Sequence, residues 1–290
     1  MSFSENLFLD ELKRRRDFFE DELETSLAGF YQFDLESLKL HKEALFYSIL
    51  NSGKRFRPLL CLVTAESIGI TPKMVMPFAC ALEMVHNYSL VHDDLPILDN
   101  DDFRRGRPTT HKQFSESTAL LVGDSLLTDS FSLLAVAYKS HPQLSEIIQL
   151  LADSSGSKGM IAGQVVDLWV QKNQNQIKLD KALIVKMHQL KTGKLISAAV
   201  MGACTIGQLA TEVKKSFEQF ADLLGLAFQI KDDILDAEEE SFGLPAIIGL
   251  EATKSFLAET DLACLEILKS LQLEKSLLAD FIFYNSNRSH

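Results

Sequence analysis

Residues 80–105 read CALEMVHNYSLVHDDLPILDNDDFRR. The first half is mostly apolar and spaced as one long helix. The second half crowds five aspartates and an asparagine together and ends on two arginines. An acidic run is ordinarily a solvated loop or helix face. This one grows directly out of a helix of core-like composition, which a solvent-facing run seldom does. The stretch therefore predicts a buried helix that delivers carboxylates to an interior site.

The pattern recurs far downstream. Residues 225–236, GLAFQIKDDILD, end another apolar helix on Asp232, Asp233 and Asp236. Counted from Gln229, these aspartates lie three, four and seven residues on, so all share roughly one helical face. Like charges so spaced destabilise an isolated helix, and inward-facing carboxylates need a cation to offset them. Two such clusters on two helices make a hard-oxygen site. Magnesium suits it, because that ion keeps waters and recruits substrate phosphates. Zinc would want histidine or cysteine, and calcium-loop spacing is absent.

Basic clusters accompany the acidic ones. GKRFRP at 53–58 carries Lys54, Arg55 and Arg57; RRG at 104–106 carries Arg104 and Arg105; KTGK at 191–194 carries Lys191 and Lys194. Gly193 is expected to break a helix there. Any one cluster reads as a solvated cap or turn. Together, in a chain of net charge −11, they match an anionic ligand. Arginine suits bidentate phosphate contacts and lysine acts as a point charge, so magnesium and arginine are read as holding opposite sides of one diphosphate.

The remaining sequence agrees with an all-α fold. Glycine and proline are sparse, 14 and 7, and fall between periodic segments. Helices are expected at about 73–94, 115–140, 142–156, 158–172, 178–191, 194–208 and 211–236, with two more after Pro245. Thr71-Pro72 reads as a cap and a first-turn proline. Alternating strands, low-complexity runs and linkers are not evident. The reading is one domain, residues 1–290, a bundle of about ten helices whose inward side chains line a central cavity. The excess of 40 acidic over 29 basic residues argues against nucleic acid or an anionic membrane as a general partner. The most apolar run, 195–207, is too short to span a bilayer. Cys61, Cys80, Cys204 and Cys264 show no CxxC spacing and read as free core thiols in a reducing compartment. A cytoplasmic protein without a membrane span or secretory signal is the expectation.

In this order, GKRFRP, HNYSLVHDDLPILDNDDFRRGRPTTH, GDSLL, GMIAGQVVDL, KTGKLI and FQIKDDILD make the chain resemble the trans-polyprenyl diphosphate synthases, of the bacterial farnesyl diphosphate synthase type, from about residue 45 onward. The resemblance implies an all-helical isoprenoid-synthase fold, a homodimer, and about three magnesium ions bound with an allylic diphosphate. It implies a transferase of isoprenoid biosynthesis that joins isopentenyl diphosphate to dimethylallyl or geranyl diphosphate. Asp93, Asp94 and Asp99 match the first metal motif, and Asp232, Asp233 and Asp236 the second. Lys54, Arg57, His86 and Arg105 match positions that hold isopentenyl diphosphate. Arg104, Lys191, Thr192 and Gln229 match positions around the allylic substrate, and the last three also serve the reaction there. Tyr88 and Ser89, five and four residues before Asp93, match chain-length positions. A helical rise sets Tyr88 about 7–8 Å below the metal site, which predicts a C15 product.

The chain also departs from the family. Only eight residues separate Asp236 from Pro245, so the usual glycine- and lysine-containing loop is missing. Glu238, Glu239 and Glu240 bring negative charge there instead, with Lys231 as the nearest cation in sequence. Asn100 stands where aspartate is common. The departures leave open a geranylgeranyl diphosphate synthase and a weakly active or non-catalytic subunit. A class I terpene cyclase fits the motifs less well, since its second motif mixes other polar residues with glutamate. A simple cation-binding bundle leaves the basic clusters unexplained.

Overall fold

A helix apolar on one stripe lies at the surface of a bundle, and a helix apolar all round lies at its centre; this chain contains both kinds. In a computed structural model describing residues 5–32, 35–50, 53–173, 176–177, 179–237 and 243–288, the helices are α1 (Glu5–Phe30), α2 (Lys39–Ile49), α3 (Phe56–Ser67), α4 (Pro72–Asp93), α5 (Thr110–Gln113), α6 (Glu116–Ala137) and α7 (Leu144–Ser155), followed by α8 (Met160–Asn173), α9 (Lys181–His188), α10 (Lys194–Ile206), α11 (Thr211–Leu235), α12 (Leu244–Ile248), α13 (Leu250–Ser270) and α14 (Leu277–Asn287). Pro58 to Ala65 of α3 and Leu195 to Ala199 of α10 are buried without interruption. These two helices and α4 pack on one another at the centre.

Surface helices cover that centre. The unanticipated α1 seals one side with Phe8, Phe19, Leu23 and Leu27, and Arg15 ties it to Glu66 of α3 at 2.7 Å. Among the described residues, α6 alone is long and apolar enough by composition to cross a membrane. It instead lays Ala119, Val122, Gly123, Leu126 and Leu134 along α4. A smaller apolar cluster, including Ile184, Met187, Ile230, Leu244 and Leu257, lies apart from the main core.

Four expectations change. The break expected at Gly193 is a π-helical turn, Gln189–Gly193, that carries α9 into α10 without interruption. Pro245, expected to fall between helices, sits inside the first turn of the short α12, with the two expected helices, α13 and α14, after it. Thr71 is at the N-cap of α4, but its hydroxyl makes no capping bond. A two-stranded hairpin, β1 (Phe103–Arg104) and β2 (Arg107–Pro108), interrupts the helices; four residues of strand are too few to show alternation in a sequence.

Candidate active site

The end of α4 is shaped by its own backbone. Asp99 N donates to Asp93 O at 2.9 Å, which folds the acidic run back onto the helix end. Asn100 supports the return at φ 55°, a left-handed conformation that asparagine tolerates well; this gives the family departure a local reason. The hairpin follows. Its two-residue turn, Arg105 and Gly106, has φ of 53° and 75°, as a turn matched to strand twist requires. This turn separates the two neighbouring arginines. Arg104 returns to Asp94, with Nε and Nη2 at 2.6 and 2.5 Å from Oδ1. Arg105 reaches across to Gly53.

Three cavities meet behind these elements. One, about 340 Å³, is lined by Lys54, Arg57, His86, Arg105, Gln229 and Asp232. Burial and the surrounding arginines hold His86 well below its ordinary pKa, so the ring is neutral there. Arg57 Nε is buried without a hydrogen-bond partner, which is costly unless an anion fills the cavity. The sequence grouped Arg55 with this cluster. Arg55 borders the cavity, but at φ 50° its guanidinium is committed to a buried pairing with Glu20 at 2.7 Å and Glu83 at 2.6 Å. Those ion pairs hold a backbone conformation that would otherwise be strained.

The second cavity, about 400 Å³, is lined by Asp99, Asp167, Lys191, Thr192, Gln229, Asp232, Asp233 and Asp236. The third, about 340 Å³ and largely apolar, runs from Asp93, Lys191 and Thr192 past Tyr88 and Ser89 to Leu127, Met160, Ile161 and Val165. Tyr88 is buried, its ring edge-on to His92 with centroids 5.8 Å apart. Its hydroxyl has no partner, unlike that of an ordinary core tyrosine. Lys191 and Thr192 touch both chambers because the π turn is pressed between two glycines. A Cβ on Gly163 would lie 2.1 Å from Lys191 N, and one on Gly225 2.9 Å from Gly193 Cα. Single π turns recur at functional sites.

The aspartates are strained by burial. Desolvation pushes the Asp93 carboxyl up to about 6, and raises Asp94, Asp99 and Asp232 as well. Protein side chains partner several aspartates of the site. Arg288 Nη2 lies 2.5 Å from Asp232 Oδ1, His188 Nε2 lies 3.0 Å from Asp233 Oδ2, and Lys191 Nζ contacts Asp167. Among the described residues no three carboxylate, imidazole or thiol groups converge into a ready-made metal site. The donors lining the second cavity are nonetheless carboxylate oxygens from Asp99, Asp167, Asp232, Asp233 and Asp236, and this hard-oxygen set fits a magnesium–diphosphate ligand.

Asp94 is not brought to that chamber. It is 4% exposed and faces Arg104, because consecutive residues at a helix end point about 100° apart. Lys231 does not serve the chamber either; its charge neighbours are Arg288 and Asp261. Glu238, Glu239 and Glu240 lie outside the described residues. The sequence reading missed Asp167, His188 and Arg288. Asp167 lay in a quoted motif, four residues from Gly163 and so on its face. His188 lay one helical turn before Lys191. Arg288, near the chain end, carried no signal.

A family model described as Polyprenyl synthetase matches residues 38–249. The chain is 41% identical over 243 residues to a farnesyl diphosphate synthase of Geobacillus stearothermophilus, covering 82% of this chain and 78% of that one. It is 43% identical over 239 residues to geranylgeranyl pyrophosphate synthase 7, chloroplastic, of Arabidopsis thaliana, covering 76% and 68%. Among solved structures, an FPP/GFPP synthase from Zymomonas mobilis superposes with a TM-score of 0.88 at 30% identity, covering 95% of this chain and 99% of that one.

Proposed function

The chain belongs to the polyprenyl synthetase family and is a prenyltransferase of the farnesyl diphosphate synthase type; from that premise we propose how its residues divide the reaction. The basic cavity of Lys54, Arg57, His86 and Arg105 takes isopentenyl diphosphate. The acidic chamber of Asp99, Asp232, Asp233 and Asp236, with Asp93 on the adjoining apolar cavity and Asp94 and Arg104 behind it, takes the allylic diphosphate and about three magnesium ions. When bound, magnesium supplies positive charge against the diphosphate leaving group. Lys191, Thr192 and Gln229 orient that group at the junction of the chambers. The allylic carbon–oxygen bond breaks with its electron pair leaving on the diphosphate. The isopentenyl double bond then forms the new carbon–carbon bond, and a proton passes to the released diphosphate. The apolar cavity excludes water that would quench the cation.

The observation that carries the reading is the junction itself, where a basic, an acidic and an apolar cavity meet at Thr192. Tyr88 and Ser89 bound the tail, and the Tyr88 ring favours a C15 product. Kinship at 43% identity with a geranylgeranyl synthase keeps a C20 product as the second reading. The exposed apolar side chains of α6 and α8, among them Leu121, Val136, Val165 and Trp169, support a homodimer. The four buried, unpaired cysteines suit a reducing cytoplasm.

The test is turnover with isopentenyl diphosphate and dimethylallyl, geranyl or farnesyl diphosphate, with products sized by chromatography. Farnesyl diphosphate is expected from the first two primers, and Tyr88→Ala is expected to extend products to C20 and beyond. A wild-type product that is mainly C20, or a Tyr88→Ala product still at C15, removes Tyr88 as the floor.

A further inference from the structure

The aspartates of the second cluster have different partners. Asp232 accepts from Arg288 and from Gln229 Nε2 at 2.9 Å. Asp233 Oδ2 instead accepts twice, from His188 Nε2 at 3.0 Å and from Leu244 N at 2.8 Å. These donors come from separate elements, the last residue of α9 and the first residue of α12. His188 and Asp233 are 7% and 5% exposed, and Leu244 is fully buried. A buried backbone N–H must find an acceptor, and this one finds Asp233.

His188 also precedes the π turn directly, so its ring position sets where Lys191 and Thr192 emerge. The side chains of Met187 and Leu244 belong to one apolar cluster, which fixes the two donors relative to each other. Asp233 is thus the point at which α9, α11 and α12 are fastened together on one side of the acidic chamber.

We infer that His188 is a positioning residue, which through Asp233 and Leu244 N holds the Lys191–Thr192 turn against the second aspartate cluster. The inference rests on the proposed function only for its substrate; the fastening itself is geometric. A carboxylate oxygen only accepts, so Nε2 carries the proton in this pair. His188 borders the acidic chamber with its Nε2 committed to Asp233, and it does not line the basic cavity. The effect therefore falls on the allylic diphosphate and spares isopentenyl diphosphate.

The variants are His188→Ala, and His188→Gln, which retains an N–H at similar reach. Amide hydrogen exchange of residues 243–248, inorganic pyrophosphate binding in magnesium chloride by calorimetry, and steady-state constants are measured for each. His188→Ala is expected to speed exchange across 243–248, to weaken pyrophosphate binding about tenfold, and to raise the allylic Michaelis constant similarly while that for isopentenyl diphosphate moves less than about twofold. His188→Gln should recover most of each change. Unchanged exchange in His188→Ala, equal shifts for both substrates, or failure of folded His188→Gln to recover either would overturn the inference. If wild type makes no prenyl product while the exchange and pyrophosphate effects appear, the functional reading falls and the positioning role stands.

Discussion

The two aspartate clusters end helices of similar length, 22 residues in α4 and 25 in α11, yet they are closed in different ways. The first is closed by its own neighbourhood. Asp99 bonds back to Asp93 through the backbone, and Arg104, ten residues after Asp94, answers that carboxylate. The second is closed from a distance. His188 lies 45 residues before Asp233, and Arg288 lies 56 residues after Asp232. A locally closed cluster keeps its geometry as long as one loop does. A remotely closed one is coupled to the packing of three helices, so it responds to changes far from the chemistry.

The largest expected effect tests what the clusters share. Asp93→Ala and Asp232→Ala should each lower turnover by about a thousandfold. Folding stability should hold or rise in Asp93→Ala, since a desolvated carboxylate is removed. Near-normal turnover in both variants, measured at saturating magnesium, would dissolve the comparison along with the site.

Within the first cluster, the hairpin turn sends Arg104 back to Asp94 and Arg105 to the basic cavity. Arg105→Ala should raise the Michaelis constant for isopentenyl diphosphate about ten- to a hundredfold, and Arg104→Ala that for the allylic diphosphate, as loss of a charged hydrogen bond implies. Identical profiles for the two variants would mean that the turn does not divide their work.

The second cluster should prove the more dependent on a remote cation. Arg288→Ala leaves Asp232 without its ion pair and should lower the melting temperature by a few degrees, about 2–4 °C per kcal/mol lost. Magnesium with pyrophosphate should narrow that gap by supplying charge where the guanidinium stood. An equal loss with and without these ligands would show that Arg288 acts through its packing on Phe228, 4.4 Å from the ring centroid. The shortened segment after Asp236 gives a related test. A grafted loop with a Gly-Lys pair should lower the allylic Michaelis constant by up to about tenfold, and more in Arg288→Ala than in wild type. A constant that stays put in a folded graft would mean that existing cations already suffice.

A further effect is in pH. Asp93 has a folded pKa of about 6 against an ordinary 3.8. The folded chain therefore binds a proton that the unfolded chain has lost between those values. The associated stability is fully present below 3.8 and is lost as pH rises through about 6. In metal-free protein, urea denaturation should show wild type losing stability relative to Asp93→Asn across that window. A difference that is flat in pH would mean that solvent already reaches the carboxylate.

Much of this architecture was legible in the residues. The apolar run from Cys80 into Asp93 determined a buried helix that ends on carboxylates, because 3.6-residue periodicity records a helix face locally. The repeat at Asp232, Asp233 and Asp236, and the basic GKRFRP and KTGK segments, gave the expectation of a metal-bound anionic ligand. Tertiary structure alone decided which of these residues line the cavities. It turned Arg55 inward and Asp94 toward Arg104, made a continuous π turn of the expected break at Gly193, and brought Asp167, His188 and Arg288 to the site. The physical reason is the reach of the signal. Periodicity and motif spacing report contacts within a turn or a loop, whereas a hydrogen bond between residues 45 or 56 apart exists only once the helices between them have packed.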